Sequence, residues 1–340
     1  MSNKLFDLIK KIYITNNYIL DQKKKLGVFP SSDFLRKNII FFYELGCFLQ
    51  KKKLNFFSDI FFSIPYFFYT LFRIKHISFC ETCYLFNSDK SLSMFKEEKN
   101  INLSFALANN YDRYFNPMKN RKLKILEIGI GGHHSSHHGG SSLRALSKFF
   151  KRSEIFGIDI IDKKSHERKR IKTFMGSQVD ENFLKEIINK HGPFDIIIDD
   201  GSHLVDHQNL SFKYLFPHLN VDGLYIIEDM LSAYMNYVGG SFNLDDEKNL
   251  VTKFSQLTHN VYSEYIFPEE LKKLKQNESI SSIQFYSKNG KGCIIIEKST
   301  MNKDGKLVRP EFKLSNDEIK KNFPDHHHNQ KMSSGLRIKK

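Results

Sequence analysis

The sequence predicts an α/β fold: a Rossmann-like sheet of parallel strands with a C-terminal antiparallel hairpin strand, preceded by a mostly helical N-terminal region. Three observations predict it. Short apolar runs alternate with helix-like segments between residues 101 and 299, the pattern of repeated βα units. One run, Phe194–Ile198, has the unbroken apolar character of a strand covered on both faces. Near the end of this region Asn289-Gly290 separates two strand-like runs, Ser281–Ser287 and Gly292–Glu297, and Asn-Gly in that setting signals a hairpin.

In chain order, strands are expected at Lys124–Ile128, Glu154–Ile160, Ile171–Phe174, Phe194–Ile198 and Leu224–Ile227. Helices fit between and after them, at Ser141–Phe150, Glu181–Lys190, His207–Phe216 and Asp245–Leu257. The chain divides into three zones: a helical, Phe- and Lys-rich region over 1–100, the sheet domain over 101–299, and a basic, polar tail over 300–340. The tail carries Pro310, Pro324 and the run His326-His327-His328, read as solvated low complexity rather than a metal site.

The 340 residues are 40% hydrophobic and 26% charged, which suits a packed core and excludes wholesale disorder. The net charge of +14 favours anionic partners, although 32 Phe, no Trp and abundant Lys and Asn also fit a compositional bias of the genome. Four cysteines, Cys47, Cys80, Cys83 and Cys293, do not make a disulfide scaffold, and the single CxxC lacks matching zinc ligands. The start Met1-Ser-Asn-Lys-Leu-Phe-Asp lacks a secretory pattern, so a cytoplasmic location is expected. The most apolar stretch, Phe56–Phe72, is interrupted by Asp59 and Pro65 and falls short of a span of about 20 residues. A core helix or an oligomer contact is preferred for it, with peripheral membrane contact kept open by Lys51-Lys52-Lys53, Arg73 and Lys75; a homo-oligomer is expected.

The loop Gly129-Ile130-Gly131-Gly132 follows the first strand, and Gly139-Gly140 opens the next helix. Glycines let a backbone pass close beneath a ligand, and a helix N-terminus offers unpaired N–H groups. The loop lacks the GxGxxG spacing suited to a pyrophosphate, and Asp159 ends the second strand where a carboxylate can reach both ribose hydroxyls. Together these favour S-adenosylmethionine over a dinucleotide; the bland alternative for Asp159 is a turn carboxylate ahead of Lys163 and Lys164. His133, His134, His137 and His138 occupy the same loop without acidic company and read as solvated histidines.

The densest chemistry ends strands four and five: Asp199-Asp200-Gly201-Ser202-His203 and Glu228-Asp229. Ligands of open α/β sheets bind beyond the carboxyl ends of the strands. Neighbouring strands would gather Asp200, Glu228 and Asp229, which repel one another unless a cation compensates; hard oxygen ligands suit Mg²⁺. His203, three residues after Asp200, is placed to take a proton. Read blandly, these are strand-end turns and caps, but two doubly acidic ends side by side argue against that.

Residues 123–230 resemble the metal-dependent sugar O-methyltransferases of macrolide biosynthesis, of the mycinamicin and macrocin type, within class I methyltransferases. The stretches that carry the resemblance are Leu126–Gly132, Gly139–Arg144, Ile155–Ile160, Phe174–Gln178, Gly192–His203, Leu215–His218 and Tyr225–Asp229. The resemblance implies Asp200, Glu228 and Asp229 as Mg²⁺ ligands and His203 as general base. It implies cofactor contacts around Glu127, Gly129, Asp159, Gln178 and Asp199, to which the loop itself adds Gly131. The expected function is transfer of a methyl group from S-adenosylmethionine to a sugar hydroxyl of a surface polysaccharide, a nucleotide-linked sugar or a glycosylated metabolite. An RNA methyltransferase, suggested by the charge, and a non-catalytic scaffold docking through the Phe-rich zone are the alternatives; no RNA-binding module is recognisable, and no specific nucleic-acid partner is expected.

Overall fold

A computed structural model describes residues 33–71, 77–91, 107–262, 280–288 and 291–299. The basic tail, its histidine run and the Asn289-Gly290 turn lie outside the described residues. The N-terminal region supplies α1 (Asp33–Lys51), α2 (Asn55–Leu71) and α3 (Phe79–Leu85). Then follow α4 (Asp112–Met118), β1 (Lys124–Ile128), α5 (Ser141–Phe149), β2 (Glu154–Asp159), β3 (Ile171–Met175), α6 (Glu181–His191), β4 (Phe194–Asp199), α7 (Val205–Leu215) and β5 (Leu219–Ile227). Short α8 (Leu250–Gln256) and α9 (Thr258–Val261) precede β6 (Ile280–Lys288) and β7 (Lys291–Lys298).

The seven strands form one sheet in the order β3-β2-β1-β4-β5-β7-β6. The first five pair in parallel and β6 and β7 form an antiparallel pair, as the sequence predicts; β7 lies between β5 and β6. Alternate strand residues feed two cores, because successive side chains point to opposite faces. Ile125, Ile196, Ile198, Leu224 and Ile226 join one cluster; Leu126, Ile128, Ile197, Tyr225 and Ile227 join the other. The unbroken run Ile196–Ile198 is wholly buried, which explains why β4 lacks polar alternation.

The boundaries shift for local reasons. The helix expected over Asp245–Leu257 starts at Leu250, where the Asn249 side chain accepts from Thr252 N at 3.1 Å and caps it. The fifth strand begins earlier than its apolar run, at Leu219, and carries a register irregularity opposite Phe194/Ile196. Helix α3 opens with a capping box: Ser78 Oγ accepts from Glu81 N at 3.1 Å and Glu81 Oε2 accepts from Ser78 N at 2.9 Å. It then packs Phe79 against Tyr111, Phe115 and Phe149, so this N-terminal helix shares a core with the sheet.

Helix α2 presents two faces. Ser58 and Phe62 are buried, Asp59 pairs with Arg168 at 2.6 Å, and the Arg144 guanidinium sits 3.9 Å from the Phe62 ring centre. Phe56, Phe57, Ile60 and Phe67 are exposed. Among the described residues, no helix is long and apolar enough to cross a membrane. All four cysteines are buried and none forms a disulfide, and burial pushes the Cys83 thiol well up, which leaves it inert.

Candidate active site

Register brings the site together. Ile128 of β1 lies beside Asp199 of β4, and Asp199 beside Ile227 of β5. The next backbone steps keep this alignment: Asp200 N donates to Ile128 O and Glu228 N to Asp199 O, each at 3.0 Å. The loops after β1, β4 and β5 therefore emerge at one edge. They meet so closely that a Cβ on Gly129, whose φ is +86°, would lie 2.0 Å from Asp200 O. Gly201 is as confined, since a Cβ there would meet Gln178 Oε1 at 2.1 Å.

A cavity of about 680 Å³ opens over this edge. Of the expected cofactor residues, Gly129, Gly131, Asp159 and Gln178 line it. Asp159 accepts Ile130 N through Oδ2 and Ile161 N through Oδ1, both at 2.9 Å, and carboxylate oxygens retain further lone pairs for hydroxyls. Glu127 and Asp199 are wholly buried and are not among the lining residues. Glu127 accepts Ser142 Oγ–H at 2.6 Å; Asp199 accepts Ser211 Oγ–H and, at 3.2 Å, Gln178 Nε2–H, and so orients the glutamine facing the cavity. Burial pushes the Asp199 carboxyl up to about 6, against the pull of these donors.

The glycine loop has an internal cation. Lys163 Nζ, buried beneath it, donates to Gly131 O at 2.6 Å and to Ser135 O at 2.7 Å. His133 and His134 line the cavity wall; His138 faces Ser135, and its Nε2 lies 3.5 Å from Glu44 Oε2 of α1. Tyr43 of α1 accepts from Gly139 N at 2.9 Å, so the N-terminal helices hold the far side of this loop.

The acidic group divides in two. Asp200, His203 and Asp229 each present a ligand atom within 4.8 Å of the others, and His203 Nε2 lies 3.4 Å from Asp229 Oδ2. Both His203 (φ 58°) and Asp229 (φ 54°) adopt the left-handed conformation, which costs non-glycine residues energy and here sets the two side chains face to face. Glu228 is instead buried and paired: its Oε1 accepts Lys90 Nζ–H and Tyr111 Oη–H, each at 2.7 Å. Burial pushes its carboxyl well up, Asp200 adds to this, and Lys90 opposes it. Sequence reasoning missed Lys90, because nothing in the local pattern around it distinguishes it from its many surface counterparts. Tyr111, in the run Tyr111-Asp112-Arg113-Tyr114-Phe115 ahead of β1, was missed likewise, because a tyrosine at a helix start reads as core.

No family model matches the chain. A stretch of 130 residues is 48% identical to mycinamicin VI 2''-O-methyltransferase of Micromonospora griseorubida and, equally, to demethylmacrocin O-methyltransferase of Streptomyces fradiae. The match takes in 38% of this chain and 33% of each relative, so the chain aligns with about a third of the length of these proteins. Among solved structures, MycE methyltransferase in complex with Mg, SAH and mycinamycin VI superposes with a TM-score of 0.56 at 31% identity, over 69% of this chain and 57% of that one. Its complex with Mg and SAH gives 0.59 at 29% identity, over 73% and 61%. The fold is thus that of a methyltransferase sheet, as the order of the sequence elements predicts.

Proposed function

We propose that the chain is an Mg²⁺-dependent O-methyltransferase that moves a methyl group from S-adenosylmethionine to a sugar hydroxyl. The observation that carries this reading is the convergence of Asp200, Asp229 and His203 beside the glycine-lined cavity. The donor set fits the groups invoked: carboxylate oxygens suit a hard divalent cation, and glycines that no side chain could replace leave the backbone free against a ligand. Two further relatives, of Streptomyces olivaceus, are named as O-methyltransferases of rhamnosyl tetracenomycins, which supports a glycosylated acceptor.

When bound, the cofactor supplies an electrophilic methyl group and the cation acidifies a neighbouring hydroxyl. The remaining work belongs to the protein. Gly129, Gly131, Asp159 and Gln178 seat the nucleoside end, with Glu127 and Asp199 behind them. Asp200, Glu228 and Asp229 supply the negative charge that attracts the cation. His203 Nε2 accepts the hydroxyl proton, with Asp229 Oδ2 3.4 Å away. Orientation of the two reactants supplies the rest, since the sulfonium charge is lost during transfer.

The test is incubation with labelled S-adenosylmethionine and extracted sugar nucleotides or glycans, with and without a chelator. Label is expected in the sugar fraction only when Mg²⁺ is present; label that survives EDTA, or appears only in RNA, overturns the reading. Self-association and peripheral membrane contact through the turn between α1 and α2 are further parts of this proposal.

A further inference from the structure

Behind the glycine loop lies a buried polar cluster that the proposed chemistry does not use. His166 ends the short helical turn Lys164–His166 after β2 and is 2% exposed. Two donors converge on its Nδ1: Arg144 Nη1 of α5 and Gln50 Nε2 of α1, each at 3.1 Å. A guanidinium can only donate, so Nδ1 is the acceptor and the ring proton sits on Nε2. Burial, with the Arg144 and Lys163 charges nearby, pushes the imidazole down to about 2 and keeps it neutral. What the ring holds reaches the cavity. Arg144 Nη2 donates to Gly139 O at 2.8 Å, and Gly139 lines the cavity. Gly140, at a φ of +66°, lies directly on the ring, since a Cβ there would stand 2.6 Å from His166 Nδ1. Gln50 Nε2 also donates to Ser165 Oγ at 2.9 Å, and Ser165 Oγ–H to Ser136 O at 2.5 Å, a second tie into the same loop. Arg144 is buried, so an N–H of its guanidinium left without an acceptor carries the full cost of lost hydration.

We propose that His166 is a positioning residue for the cofactor: its Nδ1 fixes Arg144 against Gly139 O and, through Gln50, joins α1 to the loop, so that the backbone at Gly139-Gly140 is set before S-adenosylmethionine arrives. This rests on the S-adenosylmethionine reading above. Gln50 and His166 both lie outside the stretches that carry the sequence resemblance, so nothing in that resemblance assigns them a role. Without the Nδ1 acceptor, Arg144 turns to find another partner and releases Gly139 O. The loop must then be ordered at the expense of cofactor binding, which weakens it.

The experiment titrates the full chain by calorimetry with S-adenosylmethionine and, separately, with Mn²⁺. Asparagine sets an amide oxygen where Nδ1 stands, whereas glutamine carries it one bond farther and leucine has none. His166→Asn is therefore expected to bind the cofactor with a Kd within threefold of wild type, and His166→Gln and His166→Leu at least tenfold more weakly. Mn²⁺ affinity is expected to stay within twofold in all three, because its acidic ligands follow β4 and β5. Equal cofactor affinity in wild type and His166→Leu overturns the proposal, as does equal weakening in His166→Asn and His166→Gln, since the acceptor's place then does not matter. Parallel losses of Mn²⁺ and cofactor mark a general loosening of the fold and overturn it too. Should His166→Leu fail to fold, the Asn and Gln pair decides. Wild type that does not bind S-adenosylmethionine overturns the cofactor reading along with this one, whereas a wild type that binds and a His166→Gln that binds equally well overturns this one alone.

Discussion

His203 carries the proposed general-base role. Its backbone is held at a φ of 58°, and its Nδ1 is buried without a hydrogen-bond partner among the described residues. Nothing there competes for the ring's orientation, so the Asp229 contact at Nε2 sets it. His203→Ala is expected to lower turnover by roughly 10²- to 10⁴-fold while leaving S-adenosylmethionine binding intact. Full turnover in that variant, measured with the labelled cofactor, removes the general-base assignment. Lys163 matters differently, because it touches the loop and not the cavity. Its Nζ ties Gly131 O to Ser135 O, and the carbonyls would otherwise face one another. Lys163→Met keeps the length and loses the charge, and is expected to weaken S-adenosylmethionine about tenfold, a loss comparable to one charge-assisted hydrogen bond. Calorimetry with the cofactor alone checks this; an unchanged Kd shows that the loop holds its shape without the lysine.

Between elements, the joint of α3 and α4 is tied by one carboxylate. Asp112 Oδ1 accepts from Phe79 N at 2.6 Å, fixing the start of α3 against the start of α4. Burial pushes the Asp112 carboxyl up to about 6, although backbone donors from Phe79 and Cys80 oppose it. The sign follows directly. In the unfolded chain an aspartate releases its proton near pH 4, so between about pH 4 and 6 the folded state holds a proton that the unfolded state has lost. This residue therefore adds stability as pH falls through 6 toward 4 and costs stability above 6. Asp112→Asn preserves the acceptor and removes the titration. It is expected to raise stability at pH 8 by about 2 kcal/mol and to flatten the pH dependence. Urea unfolding of both proteins at pH 5 and pH 8 measures it; parallel pH slopes rule it out.

Across the whole molecule, charge and exposed aromatic surface meet at one corner. The turn joining α1 and α2 exposes Lys51, Lys52 and Lys53 next to Leu54, Phe56 and Phe57, and the chain carries a net +14. Phe56 is 73% exposed. Aromatic rings beside a lysine run suit the interface of an anionic bilayer, where the rings enter the acyl boundary and the ammonium groups meet lipid phosphates. The protein is expected to co-sediment with phosphatidylserine vesicles at low salt, and Phe56→Ser/Phe57→Ser to reduce the bound fraction at least fivefold. Equal sedimentation of the double variant, or binding indifferent to lipid charge, removes this corner as the contact; a shift of the double variant from oligomer to monomer on size exclusion assigns the surface to a second copy instead.

The order of strands, the glycine loop, the two acidic strand ends and the closing hairpin were legible in the sequence, because each is local: an apolar run, a turn residue or a carboxylate at a strand's end declares itself within a few positions. Helix ends were less so, as with α8, where a capping asparagine rather than the apolar pattern sets the start. What only the tertiary structure decided is how the acids are shared. Glu228 and Asp229 are neighbours in the chain, yet one is buried against Lys90 and Tyr111 and the other faces His203 at the cavity. Lys90 lies 110 residues from Asp200 and 138 from Glu228. No sequence period links residues so far apart; the partnership exists because packing α3 onto the sheet carries that lysine into a buried cluster of carboxylates, where an unpaired charge could not remain.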